Sequence, residues 1–284
     1  MFLRSVSVLL LAAGPVLAQS AEPQPASDPS APDDVRAIYE ALLIPEVVDV
    51  VVREGQEHGS AIAATMFGPG AEPAAWNGAV ASIYDAEHLK SELLDSLVQT
   101  LAGEDTAAMR AFLESEPGRS LTALEVSARE EMIDDDVEQA AKEAAAVAMA
   151  EESPRLERLQ RYAESTDLIE ANVAGTMNTN YAYLKGLMNG GAMNPNLAEE
   201  DLLSDVWSQE SQIRADTTEW VYAFLLKAYE PASDSDIEAL IEFSQSGPGQ
   251  ALNHAVFQAF DEQFVEVSRS LGLAAARFMA TEEL

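Results

Sequence analysis

Cysteine is absent from the 284 residues. That excludes disulfides, thiolate metal sites, cysteine nucleophiles and lipid attachment through a cysteine. A chain this long buries enough apolar surface to fold without cross-links, which a short secreted domain cannot do. Histidine occurs three times, at His58, His88 and His254. No HExxH and no paired spacing is present, so the sequence offers no zinc signature. His88, with Glu92 four residues on, reads as half of a surface ion pair, and His58 and His254 as solvated or core-edge groups. Bases are also scarce: 16 Lys and Arg stand against 49 Asp and Glu, a formal charge of −33. Such a field repels phosphate backbones and anionic lipid, which argues against nucleic-acid binding. Three readings of the acidity stay open: solubility in a salty medium, attraction to a basic partner or cationic ligand, and divalent-cation sites. Long apolar runs are missing too. None reaches the roughly 18 uninterrupted residues a spanning helix needs, so no membrane insertion is expected.

Catalytic signatures are equally thin. No serine sits in a Gly-x-Ser-x-Gly elbow. The Ser246-Gly247-Pro248-Gly249 stretch has no following lysine and is no phosphate loop. Asp134, Asp135 and Asp136 are consecutive and so point in different directions on a helix; they read as a solvated face. Asp234 and Asp236 lack the later ligands of a calcium loop and read as a helix cap. No catalytic, cofactor or metal-binding residue is assigned, and a non-enzymatic role is expected.

Turning to what is there, residues 1–18 have the parts of a secretory signal. Arg4 supplies the basic start, Val6 to Ala13 the apolar stretch, Gly14-Pro15 the break, and Val16-Leu17-Ala18 a cleavage site after Ala18. Residues 19–32 are rich in Pro, Ser and Ala with almost no large apolar side chain, the composition of a disordered linker. The expected location is the periplasm, with secretion as the alternative.

Beyond the linker, apolar residues recur at three and four, alanine is abundant and β-branched alternation is absent. An all-α fold follows. One pattern occurs twice, about 130 residues apart: Met109-Arg-Ala-Phe112-Leu-Glu-Ser115-Glu-Pro117-Gly118, and Leu240-Ile-Glu-Phe243-Ser-Gln-Ser246-Gly-Pro248-Gly249. Each follows a short capped helix and runs into a long one. The expectation is a tandem duplication of a roughly five- to six-helix unit, residues 33–152 and 153–284, packed as a bundle or helical repeat. In each copy the serine accepts from a free N–H at a helix start. The proline sits in a first turn, where its missing N–H costs nothing. The glycine permits close backbone approach, and the phenylalanine anchors the hairpin in the core.

These motifs resemble the bacterial exported domain of unknown function 2059 family, in two divergent copies. The family carries a phenylalanine helix, then a serine, proline and glycine turn followed by Gln or Lys; Phe243, Ser246, Gly249 and Gln250 fit, as do Phe112, Ser115 and Gly118. The stretch from Ile38 to Gly55 resembles its opening helices. In the family proline directly follows serine, whereas Pro117 and Pro248 come one residue later. The resemblance implies an all-helical exported protein and brings no activity or catalytic residue.

The halves differ in aromatics. The second holds Tyr181, Tyr183, Trp207, Trp220, Tyr222, Phe224 and Tyr229; the matching stretch of the first has mainly Trp76 and Tyr84. Tyr181 and Tyr183 cannot share one helix face, nor can Trp220 and Tyr222. Some of them are therefore expected on the surface, near Met177, Met188 and Met193, as Tyr181, Tyr183, Trp207, Trp220 and Tyr222 of an interaction groove. The functional expectation is an interaction or scaffold module for a protein or peptide partner; the alternative is a small-ligand or cation-binding protein.

Overall fold

The first helices begin and end on local chemistry that the sequence displays. The computed structural model describes residues 31–70 and 73–282, and all the regular structure among them is helical. The expected leader and nearly all of the expected linker fall outside the described residues. In chain order come α1 (Ala31–Ala41), α2 (Ile44–Phe67), α3 (Ala74–Ile83), α4 (Ala86–Thr100), α5 (Thr106–Leu113), α6 (Glu116–Glu131) and α7 (Asp135–Ala150). The later helices are α8 (Pro154–Ser165), α9 (Leu168–Asn189), α10 (Glu199–Ser208), α11 (Glu210–Ala228), α12 (Asp234–Ser244) and α13 (Gly247–Glu282). Asp85 and Asp105 open α4 and α5, their carboxylates accepting from the backbone N–H of His88 and Ala108 at 2.8 and 3.1 Å. The elbows from α1 to α2 and from α8 to α9 are both made by a non-glycine residue in left-handed backbone, Leu43 at φ 53° and Asp167 at φ 46°. Each costs on the order of 1 kcal/mol.

Asp33 and Asp34 lie in the first turn of α1, where their charge suits the helix dipole. Two local expectations are corrected. The cap of α12 is Ser233, in a capping box with Asp236. The long helix expected after Gly118 breaks at Met132–Asp134. Asp134 accepts from the N–H of Asp136 and Val137 at 2.9 and 3.4 Å, which starts a new helix instead of continuing the old one. No such residue interrupts α13, which runs unbroken for 36 residues.

The two turn motifs are built alike. Ser115 accepts from the N–H of Gly118 at 3.2 Å and donates to the Phe112 carbonyl at 2.5 Å. Ser246 does the same with Gly249 and Phe243, at 3.1 and 2.6 Å. A Cβ on Gly118 would lie 2.1 Å from the Phe112 carbonyl oxygen, and one on Gly249 2.0 Å from that of Phe243. Glycine is required at both. Pro117 occupies the first turn of α6, and Pro248 is the second residue of α13. The two phenylalanines pack against the core from its edge. They are half-buried and stack face to face, 4.1 Å between centroids at an interplanar angle of 6°, so the motifs meet each other.

This meeting is part of a wider exchange. α6 and α7 pack on α11, while α13 packs on α3, α4 and α5 as well as along α9. Buried residues from Val35 to Ala275, on both sides of residue 152, form one connected core. Trp76 lies at its centre, fully buried, donating its indole N–H to the Gly59 carbonyl at 2.8 Å and meeting Phe278 of α13 edge-on at 5.5 Å. No helix among the described residues is long and apolar enough to cross a membrane.

Gly118→Ala is expected to destabilise the protein by about 1–3 kcal/mol, because the methyl must displace backbone. Gly78→Ala in α3, where an added Cβ meets nothing within 4 Å, should instead stabilise by about 0.5–1 kcal/mol. Urea denaturation of the pair checks both signs.

Candidate functional site

The five aromatics expected on one interaction surface are divided. Tyr222 is buried and faces the core, which corrects its assignment to a groove. Trp220 is half-buried and stacks on Phe224 at 5.2 Å and 11°. Tyr183 is half-buried against the core. Tyr181 is also half-buried, its hydroxyl donating to Glu199 of α10. Trp207 is the one that stands out in solvent, 65% exposed, with Leu203 one turn earlier on α10 at 42%.

The better-formed concavity lies elsewhere, between α9 and α13. These helices run side by side in the same direction and touch backbone to backbone: a Cβ on Gly186 would lie 2.2 Å from the Arg269 carbonyl oxygen, and one on Gly272 2.1 Å from that of Tyr183. Two turns towards their N-termini the contact opens into a cleft of about 340 Å³. The α9 wall is made of small residues, Ala171, Ala174 and Gly175; the α13 wall carries Phe257, Phe260 and Phe264. The space left between the two walls is the cleft.

Asp261 projects from the aromatic wall. The amide nitrogen of Asn178 donates to both its carboxylate oxygens at 3.2 Å. Burial raises the pKa of Asp261 above the ordinary carboxylate range; the Asn178 hydrogen bonds oppose this and the neighbouring Glu262 charge adds to it. No Lys or Arg lines the cleft. His254 sits at its exposed rim, seven residues before Asp261 on the same helix, a rise of about 10 Å. That spacing makes no hydrogen-bonded acid–base pair. Thr179 uses its hydroxyl on the Thr176 carbonyl, so no base activates it. Among the described residues no group of three or more His, Cys, Asp or Glu could hold a metal ion.

Sequence reasoning missed Asp261 and Asn178, because each is one acid or amide among many. The usable signal is a lone Asp inside an aromatic stripe (Phe257, Phe260, Phe264).

A second buried polar cluster has no opening. Glu125 of α6 accepts from the Tyr229 hydroxyl, and Tyr162 of α8 lies against Tyr229 with ring centroids 6.3 Å apart. All three are buried, and Arg129, one turn beyond Glu125, donates to Glu54 of α2 at 2.7 Å. Burial pushes the Glu125 carboxyl up to about 7 from an ordinary 4.5. No protein-family model, curated protein or solved structure matches this chain.

The raised Glu125 pKa has a definite sign. The folded protein holds a proton that the unfolded chain releases, so this stabilisation is complete below about 4.5 and is lost as pH rises through about 7. Above that, ionised Glu125 costs on the order of 3 kcal/mol. Glu125→Gln keeps an acceptor for Tyr229 and cannot ionise. It should be more stable than wild type at mildly alkaline pH, with the gap closing towards pH 4.5. Denaturant titrations across that range decide it; a gap independent of pH would refute the assignment.

Proposed function

We propose that this is an exported, non-enzymatic helical binding protein whose ligand seat is the cleft between α9 and α13. The observation that carries the reading is the cleft itself: a concavity with one aromatic wall and a few convergent polar groups, the usual make-up of a small-molecule site. The export signal and the resemblance to the exported family support the location; the divergent duplication belongs to the same proposal. Nothing in the cleft pairs a nucleophile with a base, which supports a holding role.

A second reading, a protein or peptide partner, is favoured by one observation. Leu203 and Trp207 form an exposed apolar pair on α10, the kind of anchor that dominates protein interfaces.

The cleft is tested by filling it. Ala174 is exposed at the lining of α9, so Ala174→Trp should fold normally. Ligand-observed NMR with a mixed panel of neutral, cationic and anionic aromatic fragments should show binders for wild type that the variant loses. Equal binding by both proteins would refute the cleft as the seat.

A further inference from the structure

We propose that the cleft takes a small organic ammonium ion, its charged head on Asp261 and its apolar remainder against Phe257, Phe260 and Phe264. This rests on the cleft being the ligand seat.

Asp261 is the only acid in the lining, which holds no Lys or Arg; the one imidazole, His254, stands at the exposed rim. Its polar partner, Asn178, is neutral. The carboxylate is therefore oriented without being neutralised. A half-buried charge in that state is costly, and a ligand with N–H donors and a positive charge relieves the cost through charge-assisted hydrogen bonds. An ammonium that meets a phenyl ring face gains a cation–π attraction that a neutral alcohol does not.

Competing ligands fit less well. An anion would meet both Asp261 and the −33 field of the chain. A bare calcium ion needs about six to eight oxygen ligands, and this lining offers one carboxylate with three amides and two hydroxyls, the rest being apolar but for His254 at the rim. One end of the cleft closes where Gly186 and Gly272 bring the helices into contact. At about 340 Å³ the cleft suits a small molecule.

The test is calorimetry of the purified protein at low salt and near-neutral pH, with phenethylammonium chloride, phenethyl alcohol and hydrocinnamate as probes. The ammonium should bind one-to-one and about tenfold or more tighter than the alcohol, and hydrocinnamate should not bind. Asp261→Asn should abolish that preference. Glu219→Gln, which removes an exposed charge on α11, should preserve it. Ala174→Trp fills the space, keeps Asp261, and should remove both ligands. Wild-type affinity for the ammonium, and not for the alcohol, should fall with acid at a higher pH than an exposed Asp would give.

Equal affinity for ammonium and alcohol, unchanged by Asp261→Asn, would overturn the ammonium assignment while leaving the cleft as a ligand seat. Equal losses from Glu219→Gln and Asp261→Asn would overturn it too, by tracing the attraction to the whole acidic surface. No binding by any probe would overturn the inference, and the fragment panel on Ala174→Trp then decides separately whether the cleft binds anything.

Discussion

Two parallel helices can touch backbone to backbone only where neither carries a side chain. Gly186 of α9 and Gly272 of α13 make that contact here, each in the place where a Cβ would strike the other's main chain. Glycine inside a helix costs about 0.5–1 kcal/mol relative to alanine. The close approach offsets this through dispersion and Cα–H···O contacts along the facing backbones. The contact fixes the axis of α13, and the other faces of α13 pack on α3, α4 and α5. Ser96 of α4 donates to Glu262 at 3.0 Å, and Phe278 reaches Trp76 and Phe67. One helix therefore both joins the halves of the chain and walls the cleft.

Charge works against this compactness. With 49 acids and 16 bases, self-repulsion is inherent. The bases are placed as straps between helices: Lys90 to Asp49, Arg110 to Asp34, Arg129 to Glu54 and Lys227 to Glu131, at 2.6 to 2.7 Å. Exposed pairs of this kind contribute about 0–1 kcal/mol each. Their greater effect is to remove positive charge from the rest of the surface. An acid without a cation is common in this protein. Asp261 faces aromatic rings from the edge of an open cleft, partly withdrawn from water.

Helix identity was legible in the sequence because it depends on local spacing and caps. Ser115, Ser246, Gly118 and Gly249 take the roles their types suggest, since a first-turn cap is decided within four residues. That Phe112 and Phe243 stack on each other was not legible, because the two motifs lie far apart in sequence. Tyr222 was misread for a related reason. Helical spacing separates it from Trp220, but spacing does not say which face is covered when neighbours lie on several sides of α11. The cleft was illegible because it comes from a mismatch of side-chain size between two helices some 80 residues apart.

The same reasoning explains why the cleft belongs to one half. α2, the long helix of the first half, also carries small residues, Gly55 and Gly59. There the space is occupied: a Cβ on Gly55 would lie 2.3 Å from Tyr84, and one on Gly59 2.7 Å from Val80. The chain turns at Met132–Asp134, and α7 packs on α11. In the second half, continuity of α13 keeps the long helix alongside α9, and α10 stays further along the chain, with Trp207 in solvent. A similar set of glycines thus gives a filled groove where the neighbouring helix supplies Tyr84 and Val80, and an open one where it does not. The break set by Asp134 turns α7 away to α11, whereas α13 continues unbroken alongside α9.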